Sequence, residues 1–355
     1  MNAAAEHCQA RTERHGERVI ASIAFRNFKA LRATSLALAP FNLIIGPNGS
    51  GKTSLIESLL QLRTLSKLPL PENTAAKSPD GPEIEFRFSA PHEAITARLK
   101  CVSDEVCDAL QVSPFDPSAW RALSGDLKGI RSYVLEHTVI GRDAEKEEGA
   151  ELNSDGGDLA AVLARIRERD STAFAALTTE MLRIAPEFRA LELAEHANGR
   201  VALGLRLIDD GLVPAPELSQ GMLYLLAFLA LAFDPAPPRL LCLEEIDRGI
   251  HPRMLREVRD LLYRLSYPEA FGLTRAPVQI VATTHSPYLI DLFREHPEEI
   301  VISHKRGRAA HFERLTDRPD LPELLKEGSL GDMWFSGILG GVPEELPATN
   351  PDPAE

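Results

Sequence analysis

Apolar and polar residues alternate in the first part of the chain, and continuous apolar runs follow later. Alternation is typical of strands with one buried face, whereas short continuous runs are typical of strands buried on both faces. The alternating strands should pair as an antiparallel sheet, and the buried runs should form a mixed central sheet. The predicted strands cover residues 19–25, 34–37, 41–45, 83–89, 94–101, 239–243, 278–283 and 300–304.

A helical period of apolar residues marks a second set of segments. The apolar segment 222–233 suits a helix that is buried on all sides. The interval 104–213 is less regular, with strands at 191–194 and 201–207, and its acidic, glycine-containing stretch 141–157 is expected to be a surface loop. The predicted helices cover residues 54–67, 158–169, 173–184, 222–233, 252–266 and 287–294.

The chain has 355 residues and 44% apolar content, enough for two domains or one large α/β domain with an insertion. Its longest apolar run is shorter than the roughly 18 residues that a membrane helix needs, and its polar start lacks the pattern of a secretory signal. We therefore expect a soluble, cytoplasmic protein that does not contact a membrane. The net charge of −13 argues against indiscriminate nucleic-acid binding but leaves a local basic groove open.

The four cysteines show neither a C-x-x-C pair nor histidines at zinc spacing. We therefore expect neither a disulfide nor a metal framework. Cys242 lies in an apolar strand pattern and is expected in the core.

A glycine-rich segment follows the predicted strand 41–45 and fits the pattern G-x-x-x-x-G-K-S/T. Its glycines let the backbone curl so that N–H groups point at phosphate oxygens, and the next helix adds its positive dipole end. Lys52 is expected to contact the β- and γ-phosphates, and the Thr53 hydroxyl to bind Mg²⁺. The pattern predicts a nucleoside triphosphate site made by Gly46, Pro47, Asn48, Gly49, Ser50, Gly51, Lys52 and Thr53.

The predicted strand 239–243 ends in two carboxylates, Glu244 and Glu245. An apolar strand that ends in two acidic residues, downstream of a phosphate loop, is the Walker B arrangement. We predict that Glu244 binds Mg²⁺ and that Glu245 is the catalytic base that orients and polarises the attacking water. The magnesium position is normally Asp, so Glu244 is a departure. An ordinary charge pair at a helix start is the alternative interpretation.

Two further segments are informative when they are considered together with the phosphate loop and the acidic pair. Ser219 stands before the helix 222–233 and could cap it, while Gly221 allows close backbone approach. His285 follows the predicted strand 278–283. Taken singly, these features indicate only a helix start and a structural histidine, but their order after the phosphate loop and around the acidic pair favours functional roles.

The four motifs together resemble those of ABC-type ATPases. Leu218-Ser219-Gln220-Gly221-Met222 is similar to the signature L-S-x-G-x, and His285 is similar to the switch histidine. The segments 23–31 (Ile-Ala-Phe-Arg-Asn-Phe-Lys-Ala-Leu) and 246–252 (Ile-Asp-Arg-Gly-Ile-His-Pro) resemble RecF-, SMC- and OLD-type ATPases. Since the chain has no heptad stretch and no Asp-x-Asp pair after His285, it resembles the branch without a coiled coil or a Toprim domain.

The resemblance implies an α/β P-loop NTPase fold with an ABC-type ATPase head over residues 19–342. This head would comprise an N-terminal lobe, 19–103, with the phosphate loop, then a mixed, largely helical insertion, 104–213, and a lobe, 214–342, with the signature, Walker B and switch histidine. We expect residues 1–18 and 343–355 to be disordered and residues 69–82 to form an exposed connection.

The resemblance also implies ATP and Mg²⁺ as cofactors, with Lys52, Glu245 and His285 as the catalytic residues. It implies a homodimer in which Ser219 and Gly221 of one subunit contact the γ-phosphate held by the other subunit. Finally, it implies work on nucleic acid, in DNA repair or antiviral defence, together with a separately encoded effector such as a nuclease.

Two alternatives stay open. In the first, Glu244 weakens Mg²⁺ binding, and the protein is an ATP-gated binding switch with slow hydrolysis. In the second, the chain is the ATPase subunit of a membrane transporter. The departure of the signature from L-S-G-G-Q and the lack of an evident Q-loop glutamine argue against a transporter.

Overall fold

The structure is a computed structural model that describes residues 18–70 and 81–340. The predicted tail 343–355 lies outside these residues, as do residues 1–17 of the predicted N-terminal segment 1–18 and residues 71–80 of the predicted connection 69–82. Within the described ranges, the architecture is a mixed α/β fold built on one large and one small sheet.

The strands alternate with helices along most of the described chain. They are β1 (Ile20–Phe28), β2 (Leu31–Ala37), β3 (Phe41–Ile45), β4 (Glu83–Phe88), β5 (Thr96–Cys101), β6 (Cys107–Ser113), β7 (Ile130–Tyr133), β8 (Ala144–Glu145), β9 (Phe188–Glu195), β10 (Arg200–Leu207), β11 (Leu212–Pro214), β12 (Leu240–Leu243), β13 (Gln279–Thr283), β14 (Ile300–Arg306) and β15 (Ala309–Arg314).

The six predicted helices begin within about three residues of their predicted starts, whereas the helices at 117–128, 137–140 and 330–335 correspond to no predicted helix. The helices are α1 (Lys52–Ser66), α2 (Pro117–Lys128), α3 (His137–Ile140), α4 (Leu159–Arg169), α5 (Ser171–Ile184), α6 (Gln220–Phe233), α7 (Leu255–Ser266), α8 (Pro287–Asp291), α9 (Leu321–Glu327) and α10 (Leu330–Phe335).

The large sheet has the spatial order β6-β5-β4-β1-β2-β15-β14-β3-β13-β12-β7. The first five strands in this order pair antiparallel, as their alternating pattern predicts. The last five, from β14 to β7, run parallel. Strand β15 joins the two halves, since it pairs parallel with β2 and antiparallel with β14. The predicted combination of an antiparallel sheet with a mixed central sheet is therefore confirmed, as one continuous sheet.

In the parallel half of the large sheet, strands β3, β12 and β13 are buried on both faces. Alternate residues of β3 point to opposite faces: Leu43 belongs to the core cluster that includes α4 to α7, and Ile44 to the cluster that includes α1 and α2. Both side chains are fully buried. Burial of each aliphatic side chain of this size contributes about 2 kcal/mol. The continuous apolar pattern of this strand therefore follows from burial on both sides.

Helix α6 is buried along almost its whole length, since each residue from 222 to 233 is buried. The Ser219 side chain caps its first turn by accepting a hydrogen bond of 3.3 Å from the Met222 N–H, as predicted. Among the described residues, no helix combines the length and the apolar content that crossing a bilayer would require.

The interval 104–213 contributes strands to both sheets as well as four helices. Strand β6 extends the antiparallel half of the large sheet, and β7 forms its parallel edge beside β12. The small sheet is formed by β8, β9, β10 and β11, and α4 packs against it.

The prediction that residues 141–157 form a surface loop is wrong in part. Strand β8 lies within it and pairs with β10, and Ala150 and Leu152 are buried. The few apolar residues of this acidic stretch are turned toward the core, which composition averaged over the whole stretch does not indicate.

The expectation of no disulfide is also wrong. Cys101 and Cys107 lie opposite each other at the end of the β5–β6 pair and are joined by a disulfide. Antiparallel pairing across a short turn brings them together, and β6 was not among the predicted strands. Cys242 is a buried free cysteine of the core, as predicted.

Candidate functional site

The phosphate loop connects the buried strand β3 to α1. Gly46, Gly49 and Gly51 adopt positive φ angles of 151°, 71° and 98°, which disfavour any side chain. A Cβ on Gly46 would also lie 2.3 Å from the carbonyl oxygen of Ser303 on β14. The glycines are therefore required both by the curl of the loop and by the neighbouring strand.

Lys52 is held inside this loop. Its Nζ donates hydrogen bonds to the carbonyl oxygens of Gly46 (2.7 Å) and Pro47 (2.9 Å). Burial lowers the pKa of Lys52 to about 8, although the charges of Glu245 and Glu244 oppose this shift. An ammonium group that has been partly stripped of water, at the N-terminus of α1, is suited to contact with phosphate oxygens.

Thr53 and Glu244 lie side by side. The Thr53 hydroxyl donates a hydrogen bond of 3.2 Å to a carboxylate oxygen of Glu244, Oε2. Burial raises the pKa of Glu244; Glu245 and Glu57 add to the effect, while Thr53 and Lys52 oppose it. A hydroxyl and a carboxylate are oxygen ligands of the kind Mg²⁺ prefers, so this pair fits the predicted metal position.

Glu245 occupies the turn that follows β12. Its backbone is left-handed, with φ 50°, and its N–H donates a hydrogen bond of 3.0 Å to Oγ1 of Thr283. The side chain is exposed and lines the same cavity as Lys52. The position of Glu245 is therefore fixed by β13, the strand that leads to His285.

His285 lies at the end of β13 and faces that cavity. Burial and, secondarily, the positive charge of Lys52 lower its pKa, although Asp247 and Glu245 oppose the effect. Its ring packs edge-on against Trp334 of α10 at a centroid distance of 6.1 Å. The preceding residue, Thr284, donates a hydrogen bond of 2.5 Å to Asp247, which ties the histidine segment to the loop after β12.

These predicted residues converge on one open cavity of about 230 Å³. The carboxyl ends of the parallel strands β3, β12 and β13 meet there, the usual ligand position in such sheets. The cavity is lined by Lys29, Ala30, Asn48, Gly49, Gly51, Lys52, Thr53, Ser54, Glu244, Glu245, Thr283 and His285.

The signature turn is not part of that lining. Ser219 is exposed at the start of α6, and Gly221 packs against the loop after β12: a Cβ on Gly221 would lie 3.0 Å from the carbonyl oxygen of Gly249. Within the described part of one chain, the structure thus brings together the phosphate loop, the acidic pair and His285, but not Ser219 or Gly221.

Sequence reasoning missed several residues of the site. Lys29 lines the cavity, and its Nζ forms an ion pair with Glu57 of α1. Ser303 donates a hydrogen bond of 2.5 Å to the carbonyl oxygen of Ser50, which supports the phosphate loop from β14. A signal existed for Lys29, because it follows β1 in a turn between two predicted strands. None existed for Ser303, whose role depends on strand order.

Solved structures with a similar fold include an SMC head bound to the C-winged helix domain of ScpA, with 14% identity and a TM-score of 0.56, covering 83% of this chain and 97% of that chain. Another is an SMC head with an extended coiled coil bound to the C-terminal domain of ScpA, derived from Pyrococcus furiosus. It has 12% identity and a TM-score of 0.55, and the match covers 87% of this chain and 100% of that chain. At these identities the likeness shows the fold alone.

A search of curated proteins found no match. The profile of one protein family, described as "AAA domain, putative AbiEii toxin, Type IV TA system", matches residues 41–291, which is more than half of the chain. The phosphate loop, the signature turn, the acidic pair and His285 all lie within this match. The protein belongs to this AAA-domain family and has the fold of the SMC heads, the ABC-type ATPase fold that the motifs predicted.

Proposed function

We propose that the protein is a homodimeric ATPase that binds ATP with Mg²⁺ and hydrolyses it at two sites shared between subunits. One observation carries this proposal. Lys52, Thr53, Glu244, Glu245 and His285 line a single cavity, whereas the signature turn is exposed away from it on the same chain. A second subunit can therefore complete the site.

The residues of the cavity divide the chemistry among themselves. Lys52 and the loop N–H groups neutralise the phosphate oxygens, and the exposed Glu245 carboxylate orients the attacking water and accepts its proton. His285 would donate a hydrogen bond to the γ-phosphate. Thr53 and Glu244 would hold Mg²⁺, which when bound would supply positive charge that offsets the charge of the phosphates.

The signature turn would contribute from the partner subunit. Ser219 is exposed, and the N-terminus of α6 behind it presents a positive dipole end to a γ-phosphate. The γ-phosphate would join the subunits, and hydrolysis would release them, so ATP acts as a conformational clamp.

We further propose that this clamp works on nucleic acid, in DNA repair or antiviral defence, with a separately encoded effector such as a nuclease. Two findings support this proposal. The description of the matched family names a putative toxin of a Type IV TA system, and one of the similar SMC heads is bound to a domain of ScpA. The net charge of −13 means that any nucleic-acid contact would be restricted to local basic groups such as the exposed Arg253 and Lys305.

A mixing experiment tests the shared site. Lys52→Ala disables the phosphate loop, and Ser219→Asp places a negative charge at the signature turn while keeping an equally good helix cap. Each variant alone should lack ATPase activity. In an equal mixture, half of the dimers combine the two variants and hold one intact site, so about a quarter of the wild-type rate should return.

Ser219→Asn is the matched control, because it keeps the cap and adds no charge; it should retain most of the activity. A mixture that stays as inactive as its components contradicts the shared site. Wild-type protein that does not hydrolyse ATP at any protein concentration contradicts the ATPase proposal itself.

A second candidate function is an ATP-gated binding switch with slow hydrolysis. It is favoured by Glu244, whose longer side chain replaces the usual Asp and already contacts Thr53 directly. A strong increase in turnover for Glu244→Asp would support the switch. A wild-type turnover of about 1 per second or faster, within the usual enzyme range, would exclude it.

A further inference from the structure

A second cavity of about 280 Å³ lies at the opposite end of the parallel strands from the ATP site. Its lining includes Arg131 near the start of β7 and Arg239 directly before β12. The ATP site, by contrast, follows the carboxyl ends of β3, β12 and β13. The cavity is further lined by residues of α4, the end of α6 and residues 149–152 and 236–238.

The lining of this second cavity is cationic, although the whole chain is acidic. Four arginines line it, Arg131, Arg165, Arg169 and Arg239, against two carboxylates, Glu151 and Asp234. Glu151 pairs with Arg131 (2.6 Å), and Asp234 pairs with Arg165. Arg169 donates a hydrogen bond of 2.7 Å to the backbone carbonyl oxygen of Glu148, a contact that does not neutralise its charge.

Arg165 is the buried centre of this group. Its side chain is 6% exposed, and its Nε, buried within the structure, makes no hydrogen bond. The Nε of Arg239 is also buried without a hydrogen bond, although it lies 3.3 Å from Asp126. Buried donors without partners are costly, and these two guanidinium groups belong to residues that line the cavity.

The remaining wall is apolar. Leu152, Val162 and Leu231 line it, together with Pro237 and Pro238. The volume is close to the lower end of the range for small-molecule sites, about 300 to 1,000 Å³. A ligand that fits must therefore combine an anionic group with a compact apolar or aromatic part.

We propose that this cavity binds a small phosphorylated ligand of about the size of a nucleoside monophosphate. A phosphate offers three acceptor oxygens, which match several guanidinium groups in bidentate geometry better than a carboxylate does. The apolar wall accommodates the aromatic base of such a ligand. Tyr133 connects this site to the ATP site, since its side chain lines the cavity while its carbonyl oxygen accepts a 3.0 Å hydrogen bond from the Glu244 N–H.

Calorimetric titration of AMP into the full-length Lys52→Ala variant tests this proposal, because that background disables the phosphate loop. AMP should bind, and adenosine, which lacks the phosphate, should not. Arg169→Ala should weaken AMP binding at least about tenfold, as expected for loss of a charge-assisted contact. Arg121→Ala, an exposed arginine of α2 outside the cavity, should leave the affinity unchanged.

A blocking variant gives an independent readout. Gly149 lines the cavity, and a Cβ there would meet no atom within 4 Å, so Gly149→Trp adds a bulky side chain at the cavity wall without a clash at its Cβ. Gly125 is equally open but lies on α2, which makes Gly125→Trp the matched control. AMP binding should disappear in the first and persist in the second. Absence of AMP binding in the Lys52→Ala protein, equal binding of adenosine, or unchanged binding in Gly149→Trp would each overturn the proposal.

Discussion

Thr53 and Glu244 are 191 positions apart in the chain, yet their side chains are joined by a hydrogen bond of 3.2 Å. Thr53 stands in the first turn of α1 after β3, and Glu244 directly follows β12. Strand β13 lies between these two parallel strands, so their carboxyl ends meet at one edge of the sheet. The sheet order thus brings together two side-chain oxygens from distant motifs, as expected if both bind Mg²⁺.

Thr53→Val should impair Mg²⁺ use with little effect on folding. Valine has the same shape but no hydroxyl, and Thr53 is exposed, so the change removes the proposed metal ligand and leaves the core intact. We expect the Mg²⁺ concentration for half-maximal ATP hydrolysis to rise at least about tenfold, which is a loss of about 1.4 kcal/mol. The measurement is a magnesium titration of the ATPase rate at saturating ATP.

Thr64→Val is the control for that change. Thr64 is also exposed on α1, and its hydroxyl only bonds the Leu60 carbonyl within the helix. Its magnesium dependence should match that of the wild type. An unchanged magnesium titration for Thr53→Val would show that Thr53 does not bind the metal.

Glu245→Gln should separate ATP binding from hydrolysis. The amide keeps the size of the side chain but cannot accept a proton, so the turnover should fall by about 10²- to 10⁴-fold. ATP affinity should change little, because the phosphates are held by Lys52 and the loop. Single-turnover hydrolysis and equilibrium binding of ATP measure the two quantities. Glu323→Gln, at an exposed glutamate of α9, serves as the control, and equal activity of both variants would contradict the assignment of Glu245 as base.

Gly46→Ala should destabilise the fold as well as the phosphate loop. The added Cβ would lie 2.3 Å from the Ser303 carbonyl oxygen, a backbone atom that cannot move without β14, and φ is 151°. We expect a loss of roughly 1–3 kcal/mol in the free energy of unfolding, together with weaker ATP binding. Denaturant unfolding followed by circular dichroism measures the first effect.

Gly125→Ala provides the opposite case. Its Cβ would meet no atom within 4 Å, and Gly125 lies inside α2, so alanine should stabilise the protein by roughly 0.5–1 kcal/mol. If Gly46→Ala were as stable as the wild type, the close approach of β14 to the phosphate loop would be refuted.

The nucleotide motifs could be predicted because each one is local. The phosphate loop needs glycines at fixed spacing after a strand, and the acidic pair needs only the end of an apolar run, so Lys52 and Glu245 are visible in the sequence. Their convergence was also predictable, since parallel strands place such residues at one edge of a sheet. Strand and helix boundaries differ from the predicted ones by a few residues, as fraying ends would suggest.

Features that depend on pairing partners could not be predicted in the same way. Strand β7 is only four residues long, and its two central residues are polar. Its place beside β12 is therefore set by the sheet and not by its own pattern. The disulfide between Cys101 and Cys107 required knowledge of β6. Likewise, the arginines of the second cavity come from three separate segments, and no spacing rule connects Arg165 with Arg239.

Glu299 should make the stability of the protein depend on pH in a way that Glu299→Gln removes. Its carboxylate is buried and accepts hydrogen bonds of 2.5 Å from the hydroxyls of Tyr263 and Tyr267. Burial raises its pKa from 4.5 to about 6, although the two tyrosines and His296 oppose the shift. A raised pKa in the folded state means that its contribution to stability is complete below about pH 4.5 and is lost as the pH rises through about 6, an effect of about 2 kcal/mol.

We expect the free energy of unfolding of Glu299→Gln to gain about 2 kcal/mol relative to the wild type between about pH 4.5 and pH 7.5, measured by urea unfolding of both proteins at each pH. If the two proteins changed in parallel over this range, Glu299 would have to be charged in the folded state throughout, despite its burial.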